Sequence, residues 1–104
     1  MKHAGPEALD QLDELLVKLR RHESLVEKTR GTFYRKSSAF LHFHEDPAGF
    51  FADVKLGGDF ERFRVSTAKE RAEFLRAVAV ADALAALSPA APRAGRSRDT
   101  RRGA

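Results

Sequence analysis

The segment from Ser38 to Thr67, SAFLHFHEDPAGFFADVKLGGDFERFRVST, limits the possible folds more than any other part of this chain. It reads as three strands and two turns, because apolar and polar residues alternate between clusters of turn-forming residues. Asp46-Pro47-Ala48-Gly49 is a four-residue loop of the kind built on a type I turn, and it pairs Glu45 with Phe50. Phe43 then opposes Ala52, and Leu41 opposes Val54. A two-residue turn at Gly57-Gly58 pairs Leu56 with Asp59, which sets Ala52 against Phe63 and Phe50 against Val65. Each turn alone puts the same residues on one face, and they are apolar, as a core face must be.

The flanking segments read as helices. Pro6 suits a first helical position, where its missing N–H is not needed. Leu9, Leu12, Leu16 and Leu19 then recur at spacings of three and four, with Leu15 beside them. This helix is expected to end near Arg21 or His22. Residues 24–28 fit either its last turn or a short edge strand. Gly31 breaks the chain, Thr32 to Arg35 is a β-prone run, and Lys36-Ser37 fits a tight turn. Thr67 with Glu70 three residues later forms a capping box for a second helix. Phe74, Leu75, Val78, Ala81, Ala85 and Leu84 are its candidate buried residues, and Pro89 stops it. The expectation is an α+β two-layer sandwich: an antiparallel meander of three to five strands, with an N-terminal and a C-terminal helix packed on one face.

One domain fits the length, spanning residues 1–88, and residues 89–104 read as a disordered basic tail. The formal charge of +4 and pI near 9.9 invite a nucleic-acid reading, but the charge is unevenly placed. The tail holds Arg93, Arg96, Arg98, Arg101 and Arg102 against Asp99, which accounts for all of it. Nineteen basic residues less those five leave 14; fifteen acidic residues less Asp99 also leave 14. The folded part is therefore neutral. There are no cysteines, which excludes disulfides, thiolate metal sites and cysteine nucleophiles and suits a reducing compartment. No apolar run approaches the ~20 residues that span a bilayer, and the N-terminus lacks a signal-peptide core. A cytoplasmic protein is expected. Arginine outnumbers lysine 13 to 6, a composition common in bacterial genomes of high GC content.

The residues that could carry function are those the register sends outward. Phe40, His42 and His44 project from one strand, Phe51 and Asp53 from the next, and Arg62 and Arg64 from the third, with Asp53 directly opposite Arg62. Phe33 and Phe60 are candidates for the same face. His-x-His on a strand with a nearby carboxylate is a chelating pattern. Here a third strong ligand is missing and two arginines repel a cation, so no metal and no cofactor are expected. Exposed aromatics with arginines could also stack bases and meet phosphates, assisted by the arginine tail; this is a weak, sequence-blind nucleic-acid reading. Several phenylalanines on one open face instead favour a protein partner, and a small domain gains from pairing with itself, so a homodimer or another protein partner is expected. There is no phosphate-binding glycine loop and no Gly-x-Ser-x-Gly, and no Ser/His/Asp set is visible, so the chain does not read as an enzyme.

The run TFYRKSSAFLHFHEDPAGFFADV followed by FERFRVST and a helix resembles a small bacterial family of uncharacterised α+β proteins. More distantly, the plan of helix, meander and helix, with its LVEKTRGTFYR…AFLHF opening, is similar to MmcQ/YjbR-type domains over about residues 9–87. That resemblance implies an α+β sandwich and an association with DNA, and it assigns no residue a role.

Overall fold

The computed structural model describes residues 1–87. The arginine tail (Arg93, Arg96, Arg98, Arg101 and Arg102) and the expected stop at Pro89 lie outside the described residues. The elements are β1 (Lys2–His3), α1 (Pro6–Gln11), α2 (Asp13–Leu19), β2 (Val26–Thr29), β3 (Thr32–Arg35), β4 (Ser38–Asp46), β5 (Gly49–Lys55), β6 (Phe60–Arg64) and α3 (Ala68–Leu87). The strands form one antiparallel sheet in the order β2-β3-β4-β5-β6, and β1 pairs with the far end of the long strand β4. This is the expected α+β architecture, with the helices on one face and the other face uncovered by any of the described residues.

The two turns set the register as read from the sequence. Leu41 pairs with Val54, Phe43 with Ala52, and Glu45 with Phe50. Pairing continues to Asp46 and Gly49, so the connection tightens to Pro47-Ala48, where the Asp46 carboxylate accepts the Ala48 N–H at 3.1 Å. Ala52 pairs with Phe63 and Asp53 with Arg62, and the Val65 N–H donates to the Phe50 carbonyl at 2.8 Å. Lys36 and Ser37 both take left-handed backbone (φ 50° and 70°), the conformation of a two-residue hairpin turn whose twist matches the strands.

The core lies between the inner face and the helices. Leu12, Leu16, Leu19, Leu41, Ala52, Val54, Val65, Phe74 and Val78 are wholly buried. Each large side chain removed from water contributes about 1.5–3 kcal/mol. The Phe74 ring meets Phe63 and Phe43 edge-on, with centroids 5.6 and 6.2 Å apart, and fixes α3 on the sheet. The capping box at the start of α3 forms as read: Glu70 N–H donates to Thr67 Oγ1 at 3.1 Å, and Thr67 N–H donates to Glu70 Oε1 at 3.0 Å.

Several expectations are corrected. The N-terminal helix is two short segments, because the chain leaves helical geometry at Leu12 (ψ 6°) while the leucine stripe stays buried across the break. Of the two readings left open for residues 24–28, the edge strand is the one that forms, at Val26–Thr29. Ala85 and Leu84 are exposed, because the buried stripe of α3 ends with Val78 and the half-buried Ala81. No helix among the described residues is long and apolar enough to cross a membrane.

Candidate functional site

The residues expected outside divide into two groups. His42, His44, Phe51, Asp53, Arg62 and Arg64 share the uncovered face, because His42 pairs with Asp53, His44 with Phe51, Asp53 with Arg62 and Phe51 with Arg64. Phe60 joins them, its ring 5.2 Å from that of His42. Phe40 and Phe33 do not. Phe33 pairs with Leu41 and is buried in the core. Phe40 sits at a bulge, since Phe33 pairs with Leu41 but Tyr34 with Ala39, and the extra residue breaks the alternation. Its ring is buried beneath the Arg35 guanidinium, 4.6 Å away, and Arg35 in turn reaches Asp82 of α3, so Phe40 belongs to the helix side. The face is therefore less apolar than the sequence implies, with Phe60 and half-buried Phe51 as its aromatic residues.

At its centre stands Asp53, a carboxylate on an open sheet that is nonetheless only 9% exposed. The neighbouring side chains bury it. Arg62 donates to both its oxygens, Nε to Oδ1 at 2.8 Å and Nη2 to Oδ2 at 2.9 Å. That charge-assisted fork, opposed by burial, holds the Asp53 carboxyl below the usual carboxylate range. Two imidazoles converge on Oδ2: His44 Nε2 at 3.1 Å and His42 Nε2 at 3.6 Å. Burial lowers the pKa of His42, and the neighbouring His44 adds to the effect, so the His42 ring is neutral at neutral pH. His44 Nε2 is close to the carboxylate, yet it is buried and makes no hydrogen bond among the described residues. Leaving a buried polar atom unsatisfied costs about 1–3 kcal/mol, and such an atom calls for a reason.

The fold adds a residue that the sequence reading missed. β1 brings His3 opposite His44, and the rings stack with centroids 4.8 Å apart; His3 and His42 are 5.7 Å apart. Ala4 N–H donates to the Phe43 carbonyl at 3.1 Å and Gly5 N–H to Glu45 Oε2 at 2.7 Å, and these bonds fasten the strand. Two residues are too few to show strand periodicity. The available signal was one more histidine just before the Gly5-Pro6 break.

The arginines are committed. Arg62 holds Asp53, and Arg64 Nη1 donates to Glu70 Oε2 at 3.0 Å while its Nη2 donates to the Ala48 carbonyl at 3.1 Å. A second polar cluster, also unread in the sequence, lies on the helix side. Ser24 Oγ donates to Asp82 Oδ1, His22 Nδ1 lies 3.1 Å from Asp82 Oδ2, and Arg35 Nη2 donates to Oδ1 at 2.7 Å. These are the residue types of a nucleophilic triad wired differently. Serine and histidine both bind the carboxylate, and those bonds hold the Asp82 carboxyl low, which makes it a poor base. The cluster clamps α3 to the α2–β2 connection.

No family model, no curated protein and no solved structure matches the chain.

Proposed function

We propose that this protein is a small non-enzymatic binding module that works through the uncovered face of its sheet and pairs there with a second copy of itself. The observation that carries the reading is the gathering of three imidazoles, a buried carboxylate and two aromatic rings on the sheet face that no described helix covers. The two arginines of that face are paired, Arg62 with Asp53 and Arg64 with Glu70, which lowers the like-charge penalty when two copies approach. Phe60, 44% exposed at the edge of the face, supplies the apolar anchor. The absence of cysteine suits work in the reducing cytoplasm.

Light scattering tests this. The expected result is a dimer mass for the wild type and a shift toward monomer for Phe60→Asp, while a substitution on the helix side such as Val80→Asp leaves the mass unchanged. A wild-type chain that stays monomeric at high concentration sinks the self-pairing. Binding of a mixed-sequence oligonucleotide that falls steeply with salt moves the reading to nucleic acid.

A further inference from the structure

We propose that His3, His42, His44 and Asp53 form a binding site for a divalent transition ion of the zinc class. The inference rests on the uncovered face being the binding surface, and it names an inorganic ligand for it. Three imidazole nitrogens and one carboxylate oxygen are donors of intermediate softness, a set that suits zinc and its neighbours rather than magnesium or calcium.

The geometry is close to what such an ion needs. Bonds of about 2.0–2.1 Å at tetrahedral angles place donor atoms about 3.3 Å apart. The distances from Asp53 Oδ2 to His44 Nε2 and His42 Nε2, 3.1 and 3.6 Å, bracket that spacing. The donor atoms of His42, His44 and Asp53 all lie within 4.8 Å of one another, and the widest gap can close by rotation of the half-buried His42 ring. His3 is exposed and lies against the other two rings, where a turn about its side-chain torsions supplies the fourth donor.

The backbone holds these donors in place. His3 and His44 are a direct cross-strand pair, and so are His42 and Asp53, so three adjacent strands position four ligands without a loop. The site also accounts for the unsatisfied nitrogen. Among the described residues His44 Nε2 is buried with no hydrogen bond, and an ion would take its lone pair. Arg62 acts in two opposing ways. Its charge weakens attraction for a cation, but its two bonds to Asp53 fix the carboxylate plane with Oδ2 toward the imidazoles, as an outer-shell partner does. An ionised carboxylate has about four lone-pair sites, so two remain for the metal.

The test uses the untagged full chain with Zn(II) in calorimetry, Co(II) in visible absorption, and Zn(II) again with NMR of the imidazole nitrogens. The expected result is one ion per chain, an intense four-coordinate Co(II) spectrum, and shifts in the ring signals of His3, His42 and His44. His22, held against Asp82 on the other side of the sheet, is the internal control and stays unmoved. His44→Gln is expected to lower affinity by at least ~100-fold and His3→Gln by about 10-fold, since even outer-shell losses cost ~10–100-fold. The proposal is overturned if all four histidines shift together, if no heat is released in excess Zn(II), or if His44→Gln binds like the wild type. The NMR comparison needs only wild-type protein, so a variant that fails to fold does not block the test. Light scattering beside the calorimetry separates the two readings: a monomer that binds one Zn(II) removes the self-pairing alone, and a dimer that takes up no Zn(II) removes the metal alone.

Discussion

On the covered face of the sheet, Leu41, Phe43, Ala52 and Val54 pack beneath Phe74 and Val78, and none of them needs a particular partner atom. On the uncovered face, one residue further along the same strands, Asp53 is gripped by Arg62 while His44 Nε2 is left without a hydrogen bond. The two faces share a backbone and a register and differ in what stabilises them. The inner face gains from the area it removes from water, which is insensitive to direction. The outer face depends on direction and charge, and one of its polar atoms is poorly served. Binding sites are commonly built at such points, because a polar group unsatisfied within the chain can be satisfied by a ligand.

The contrast sets an order of expected effects. Phe74→Ala, which empties the centre of the covered face, is expected to destabilise the fold by about 3–5 kcal/mol in denaturant melts. A loss below about 1 kcal/mol would mean that the inner face collapses around the cavity and that α3 is held elsewhere. Asp53→Ala is expected to cost less, about 1–3 kcal/mol, because it removes a buried acceptor yet leaves an arginine that water can reach. The Arg62 side chain is 51% exposed, against 12% for Asp53. A double-mutant cycle with Arg62→Ala measures their coupling, and a coupling near zero would reduce the outer face to a solvated surface.

Acid titration gives the smallest effect and the most selective one. His42 has a lowered pKa in the folded chain, so as pH falls below its ordinary value of 6.5 the unfolded chain takes up a proton that the folded chain resists. Its contribution to stability is therefore full above that value and is lost as pH falls through the folded one. Asp53 behaves in the same sense around its ordinary value of 3.8, again losing stability toward acid. Thermal melts across this range should show two successive losses. His42→Gln should remove the first and leave the second, and a variant that keeps both would place the first loss at another group.

How much was legible follows from the range of the interactions. Leu41, Phe43, Ala52, Val54, Phe63 and Val65 could be placed on one face because two short turns fix the ladder on either side of β5, and turn length is local information. The Thr67–Glu70 capping box was readable for the same reason, being a bond across three residues. Phe40 was misplaced because a bulge shifts the alternation by one, and nothing in the SAFLH run announces it. His3 was missed because its partner His44 lies far along the chain and β1 is only two residues long. Ser24, His22 and Asp82 were likewise joined only by the packing of α3 against the α2–β2 connection.

The sequence by itself determined the alternating strands, the neutral folded part, the inner face and the pairing of Asp53 with Arg62, since periodicity, charge counts and turn lengths act over a few residues. Only the tertiary structure decided that Phe33 and Phe40 turn inward and that a third histidine joins His42 and His44. The physical reason is that a bulge and a two-residue strand are stabilised by partners distant in the chain, so their own residues carry no pattern that marks them.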